Sequence, residues 1–127
     1  MHGDFYGTLR ERVLTNLKKG VDVLIDIDTQ GAATIRNCED PIIRRALTDV
    51  FIMPPNLDEL RRRLRKRGTE TEKQITRRLK TAAREMELWR DYRYTIISGS
   101  VEKDLEKFRQ IMAAESYLSR RLIFSGS

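Results

Sequence analysis

The chain has 127 residues, of which 39% are hydrophobic and 35% charged, a composition typical of one soluble, helix-rich globular domain. The lone Cys38 excludes an internal disulfide, and one cysteine with one histidine argues against a structural zinc site or a Cys–His nucleophilic pair. No apolar run approaches the roughly 18 residues that a membrane span needs. We therefore expect a cytoplasmic protein with no membrane partner and no metal site of its own.

The net charge of +6 is concentrated in one stretch of the chain. Residues 61–84 carry eleven Lys and Arg side chains against two Glu, whereas the other residues together have a net charge of −3. One basic element on a slightly acidic body favours a focused anion site over a protein that coats nucleic acid.

The first two predicted elements are a helix and a strand. A Thr-x-x-Glu capping box at Thr8 predicts a helix from there to about Gly20. Residues 23–27 are a nearly continuous apolar run, which predicts a strand covered on both faces. Asp26 and Asp28 lie at its end, two residues apart, so on a strand both carboxylates point to one side.

These two acids are a site candidate because ligands of parallel α/β sheets bind beyond the carboxyl ends of the strands. A structural alternative stays open. In that alternative Asp28 caps the following helix and Asp26 is an ordinary carboxylate at a strand end.

Two further strands are predicted, at residues 49–53 and 94–97. Between them, Asn56 is the predicted cap of a helix that Gly68 ends, and a Thr-x-x-Glu pattern at Thr69 starts a long second helix. Shorter and closing helices are predicted to begin at residues 41 and 101. This alternation predicts parallel strands joined by helical crossovers.

Residues 57–91 therefore form a predicted helical hairpin with arginines on both sides of its glycine turn. Arg63 and Arg67 are four residues apart and share one helix face, and Arg78 of the second helix can converge on the same space. Guanidinium groups suit phosphate oxygens because they give two charge-assisted hydrogen bonds in a fixed geometry. The alternative is a solvated charged face. Adjacent arginines of a helix point in different directions, so at least some of them must belong to such a face.

Five short segments of the chain occur together at the spacings of one enzyme family. They are Phe-Tyr-Gly-Thr at 5–8, Leu-Ile-Asp-Ile-Asp-Thr-Gln-Gly at 24–31, Phe-Ile-Met-Pro-Pro at 51–55, Arg-Leu-Arg-Lys-Arg-Gly-Thr-Glu-Thr-Glu at 63–72 and Arg-Arg-Leu at 77–79. Over nearly its whole length the chain thus resembles guanylate kinase, the nucleoside-monophosphate kinase that moves a phosphoryl group from ATP to GMP.

The resemblance implies an α/β fold, a partial P-loop-kinase-like parallel sheet with three recognisable strands, crossover helices and an Arg-rich helical-hairpin lid. Residues 1–60 would be the first part of the core, 61–84 the lid, and 85–127 the closing strand and C-terminal helix. The loop after the last strand departs from the family, because Ser98-Gly99 stands where Asn-Asp is usual. No adenine contact is assigned to Ser98 for that reason.

The resemblance also implies a GMP site. Tyr6 would contact the GMP phosphate and Thr8 the guanine, while Asp26 and Asp28 would orient the nucleotide and nearby arginines.

The lid implies an ATP site. Arg63 and Arg67 would bind the ATP phosphates. Arg67 and Arg78 would be catalytic, neutralising charge on the transferring group as the lid closes and excludes water.

One family feature is not found in the 127 residues. None of the seven glycines is followed by lysine, so the phosphate loop that ends in Gly-Lys-Ser/Thr is missing, as is the segment with most of the GMP-binding arginines. We expect the later part of a guanylate kinase. ATP with Mg²⁺ then belongs to the full-length enzyme, no cofactor binds this chain tightly, and the chain alone is inactive.

The missing segment has a structural consequence. In the family its strand lies centrally, between the strands that end at Asp28 and Met53, and a gap there leaves unpaired strand edges. We therefore expect a homo-oligomer in which a second copy fills the gap.

Two other functions remain as alternatives. A non-catalytic guanylate-kinase-like interaction module keeps the fold and binds phosphorylated peptides, but has less use for all three lid arginines. Nucleic-acid binding through residues 61–84 ranks last, because the Thr-Glu-Thr-Glu segment beside the arginines weakens such a surface.

Overall fold

The computed structural model describes residues 2–118, with side chains from residue 9 onward. It divides into two compact units, one formed by the chain up to residue 47 and the other by residues 48–118. Within residues 2–118 no helix combines the length and hydropathy that a membrane span requires. The described elements in chain order are α1 (His2–Lys18), α2 (Thr29–Arg36), α3 (Pro41–Ala46), β1 (Val50–Met53), α4 (Leu57–Arg67), α5 (Glu72–Met86), a 3-10 helix (Glu87–Asp91), β2 (Tyr94–Ile97) and α6 (Val101–Ser116).

A parallel pair of strands organises the second unit. Val50 is opposite Tyr94 and Met53 is opposite Ile97. The chain between the two strands forms α4 and α5, which is the helical crossover that parallel strands need. The predicted strands at 49–53 and 94–97 and their parallel pairing are confirmed, and the fold is α/β.

The prediction of a third strand at residues 23–27 is wrong. A strand is held by hydrogen bonds to a neighbouring strand, and no strand among the described residues pairs with this segment. Most of its apolar side chains are accordingly exposed, with Leu24 78% and Val23 36% accessible to solvent. The apolar run has the composition of a strand that is covered on both faces, but no described strand pairs with it.

Helix α1 begins at His2, not at the predicted cap Thr8, whose side chain lies outside the described residues. Helix extension adds one hydrogen bond per residue, whereas a new nucleus is costly, so an earlier start is favourable once the helix forms. Arg10 of α1 forms an ion pair of 2.9 Å with Asp40. Asp40 also caps α3 by accepting a hydrogen bond from the Ile42 amide, as the Asp-Pro pattern predicts.

The two hairpin helices begin and end at local signals. Asn56 caps α4 by accepting a hydrogen bond from the Glu59 amide at 2.8 Å, and Gly68 ends it with φ of 68°, a conformation that glycine adopts without strain. Helix α5 begins after Thr71, two residues later than predicted, because Thr71 and Gln74 form a reciprocal capping box. It ends at Met86, where a 3-10 helix takes over.

An apolar core joins the hairpin helices. Leu64, Ile75 and Leu79 are buried, and Leu57 and Leu60 pack against them. These are the stripes that the helical period predicts. The position of the hairpin arginines follows from this core, because the apolar faces of α4 and α5 must meet.

A buried carboxylate ties α6 to the sheet. Glu115 is 3% exposed and accepts hydrogen bonds from the Thr48 hydroxyl, from the Tyr94 hydroxyl at 2.8 Å and from Arg93 Nε at 3.1 Å. Burial is the largest influence and raises the pKa of Glu115. The hydroxyls of Thr48 and Tyr94 and the charge of Arg93 outweigh it and hold that pKa below its usual value.

Replacement of this carboxylate is expected to destabilise the protein at neutral pH. Glu115→Gln should lower the free energy of unfolding by about 1–3 kcal/mol, because the buried hydroxyls and Arg93 lose their charged acceptor. Because folding lowers the Glu115 pKa, this stabilisation is present above the ordinary value of 4.5 and is lost as the pH falls through the folded value.

Urea unfolding at pH 7 and pH 3.5 measures the difference. Glu106→Gln, an exposed position of the same helix, is the control and should change stability little. Equal stability of wild type and Glu115→Gln at pH 7, or a gap that widens on acidification, would contradict this role of Glu115.

Candidate functional site

The carboxyl edge of the two-stranded sheet is where a ligand site is expected. Because the strands are parallel, Met53 and Ile97 end at the same edge, and the Ser98 amide donates to the Met53 carbonyl at 2.7 Å. The loop 98–100 then leads into α6, which Ser100 caps by accepting from the Lys103 amide. Ligands of α/β proteins bind beyond this edge.

Arg63 reaches that edge from α4. Its Nη1 donates to Ser98 Oγ at 3.1 Å, its Nη2 to the Ser98 carbonyl at 3.0 Å, and its Nε to Glu59 Oε1 at 3.0 Å. Every guanidinium nitrogen is thus bonded to a protein oxygen. These bonds use three of the five guanidinium N–H groups, which leaves one N–H group on each terminal nitrogen for a further acceptor.

The Ser98-Gly99 loop is held by Asp104, a residue that the sequence reasoning did not single out. Ser98 Oγ donates to Asp104 Oδ2 at 2.7 Å and the Gly99 amide donates to Oδ1 at 2.8 Å. The Gly99 amide and then the Ser98 hydroxyl lower the pKa of Asp104. The signal that was available is an acid in the first turn after a serine cap.

A second concave surface lies between α4 and α5, with a volume of about 490 Å³. Its apolar wall includes Leu60, Leu64 and Ala82, and Arg78 and Glu70 are among its polar lining residues. Arg78 Nε is 2.5 Å from Glu70 Oε1. The side chain of Arg78 is 57% exposed, whereas that of Glu70 is 10% exposed.

The three predicted arginines of the hairpin do not share one contact network. Arg78 lines the cleft between α4 and α5, whereas Arg63 is bonded at the edge of the sheet. Arg67 is exposed in the last turn of α4 and forms no ion pair or side-chain hydrogen bond with a described residue. The structure thus brings these residues into one hairpin, but gives them different surroundings.

Other arginines of α4 form the solvated charged face that the sequence left open. Their exposed ion pairs contribute little to stability. Hydrogen bonds from Arg62, and then from Arg63, lower the pKa of Glu59 to about 2. The exposed pairs are Arg61 with Asp58, Arg62 with Glu59, and Arg65 with Glu72.

The predicted acidic pair lies in the first unit. Asp28 caps α2, with its Oδ1 accepting from the Gly31 amide at 2.7 Å, which is the contact that the structural alternative predicts. Asp26 is exposed in the segment that forms no strand. The side chains of Tyr6 and Thr8, the other predicted GMP contacts, lie outside the described residues.

Comparison with known proteins identifies one family. The family model described as guanylate kinase matches residues 1–115. The guanylate kinase of Caldanaerobacter subterraneus subsp. tengcongensis is 39% identical over 115 residues, which are 91% of this chain and 53% of that protein. The guanylate kinase of Rhodopirellula baltica is 43% identical over 110 residues, which are 87% of this chain and 51% of that protein.

A solved structure shows the same likeness. The crystal structure of guanylate kinase from Anaplasma phagocytophilum superposes with a TM-score of 0.69 at 32% sequence identity, covering 88% of this chain and 50% of that one. The chain therefore spans about half the length of the curated relatives that it matches.

Proposed function

Since this chain belongs to the guanylate kinase family, we propose that it supplies part of the GMP site and the phosphate lid of an enzyme that transfers the ATP γ-phosphoryl group to GMP. The products are ADP and GDP. The cellular compartment that we propose is the cytoplasm, because a single cysteine fits a reducing compartment.

The observation that carries the proposal is the placement of Arg78. Its guanidinium group lies at a cleft of about 490 Å³, is more than half exposed, and contacts the protein through Nε. The terminal nitrogens are therefore available as a fork for phosphate oxygens. An arginine in this arrangement can neutralise charge on a transferring phosphoryl group.

The other two lid arginines have different parts in the proposal. Arg67 is exposed beside the Gly68 turn and is both an ATP contact and a catalytic residue. Arg63 binds ATP phosphate through the N–H groups of its terminal nitrogens that are not bonded to Ser98. Residues 61–84 act as the lid, which excludes water as it closes over the two nucleotides.

The first unit supplies the proposed GMP contacts. Tyr6 binds the GMP phosphate, Thr8 the guanine, and Asp26 and Asp28 orient the nucleotide. The cap of α2 uses Oδ1 of Asp28, which leaves Oδ2 for a ligand. The carboxylate of Asp26 is also accessible to a ligand, because Asp26 is exposed.

The 127 residues contain no Gly-Lys-Ser/Thr phosphate loop, so Mg²⁺-ATP belongs to the longer enzyme in this proposal. We expect no turnover from the chain alone. When the part of the Caldanaerobacter relative that this chain does not match is fused ahead of this chain, we expect GMP-dependent formation of ADP in a coupled assay.

In that fusion protein Arg78→Lys should lower kcat by about 10²-fold or more, because a lysine cannot present a planar fork to the transferring group. Arg65→Lys is the matched control, since Arg65 pairs with Glu72 on the exposed face, and should stay within about twofold of the parent. Turnover by the chain alone, or an Arg78→Lys fusion as active as its parent, would contradict the proposal.

We also propose self-association. Both outer edges of the two-stranded sheet lack a strand neighbour among the described residues, and Val23, Leu24 and Ile27 of the segment 23–27 are exposed. A second copy can cover these surfaces. Light scattering across a hundredfold range of concentration should show a mass above 14.9 kDa; a constant monomer mass would exclude the oligomer.

A further inference from the structure

Glu70 is a buried carboxylate that contacts an exposed arginine. Its side chain is 10% exposed, although Thr69 and Thr71 on either side of it are exposed. In the exposed pairs of the same hairpin the acid is more accessible, with 24% exposure for Glu59 and 68% for Glu72. Glu70 is therefore the most buried acid of these three ion pairs.

The geometry of the contact leaves one end of Arg78 available. Nε forms an ion pair with Glu70 Oε1 at 2.5 Å that does not have the angle of a hydrogen bond. No described residue is hydrogen-bonded to the terminal nitrogens of Arg78. Since Arg78 lines the cleft between α4 and α5, those nitrogens form a fork that an anion in the cleft can reach.

A fixed carboxylate restricts a long side chain before any ligand arrives. An exposed arginine has many rotamers. Without a fixed partner, the binding of a phosphate must restrict these rotamers, at a cost in binding free energy. The second oxygen of Glu70, Oε2, is buried and has no hydrogen-bond partner among the described residues. An unsatisfied buried acceptor is unfavourable for folding, so the position of Glu70 calls for an explanation other than stability.

We propose that Glu70 is a positioning residue for Arg78, which holds the guanidinium group through Nε and directs its terminal nitrogens toward phosphate oxygens in the cleft. The phosphate part of this inference rests on the proposed function. The positioning part concerns the geometry of Arg78 alone.

Positioning and simple charge effects predict opposite results for one substitution. Glu70→Gln removes a negative charge beside the cleft, so Coulomb's law alone predicts tighter binding of an anion. Loss of positioning predicts weaker binding, because the guanidinium must then be ordered by the ligand. Glu72→Gln removes the same charge two residues away, where the carboxylate pairs with Arg65 and not with Arg78.

The first measurement is side-chain NMR of the 127-residue chain without a ligand. The Arg78 Nε–H group should have a high order parameter in the wild type and in Glu72→Gln, and a low one in Glu70→Gln. The backbone amide spectrum shows whether each variant is folded. If Glu70→Gln does not fold, Glu70→Asp takes its place. Equal mobility of Arg78 Nε in the wild type and in a folded Glu70 variant would overturn the inference.

The second measurement is a titration with inorganic tripolyphosphate at low ionic strength. The dissociation constant should increase about threefold to tenfold in Glu70→Gln and should not increase in Glu72→Gln. Unchanged or tighter binding by Glu70→Gln would overturn the inference. A third outcome is that Glu70 orders Arg78 but the chain does not bind tripolyphosphate. This outcome would support the positioning contact and count against the proposed function.

Discussion

The parallel pairing of β1 and β2 is the constraint on which the second unit depends. Parallel strands need a crossover, and here the crossover is the α4–α5 hairpin. The Ser98 amide donates to the Met53 carbonyl at the ends of the two strands, and Arg63 in the middle of α4 donates to Ser98 and so fixes α4 to this edge of the sheet. The turn of the hairpin, which follows Gly68, is farther along the chain from these contacts.

This constraint divides the arginines of the hairpin into three kinds. Arg63 holds the hairpin to the sheet, because each of its guanidinium nitrogens is bonded to a protein oxygen. Arg62 and Arg65 pair with acids on the exposed face, where ion pairs contribute little. Arg67 and Arg78 are exposed, lie on the two helices that flank the turn, and donate no hydrogen bond to a described residue. The local charge of +9 is therefore not one uniform binding surface.

Features that depend on neighbouring residues could be predicted from the sequence, and features that depend on distant ones could not. Asn56 and Gly68 delimit α4 as predicted, because caps act within one turn of helix. The segment at 23–27 has the composition of a strand, but a strand also needs a partner. The contact of Arg63 with Ser98 joins residues 35 positions apart, so no local pattern indicates it. The spacing of the family motifs indicated which arginines belong to the predicted site, but not which residues these arginines contact.

The central claim is that the basic hairpin contains a focused phosphate site and not a general cationic surface. NMR titration of the 127-residue chain with millimolar ATP, observed at the arginine Nε–H groups, tests it most directly. We expect the largest shifts at Arg67 and Arg78, and small shifts at the exposed group Arg61, Arg62 and Arg65. Equal shifts at all the arginines of the hairpin, or shifts confined to that exposed group, would contradict the claim.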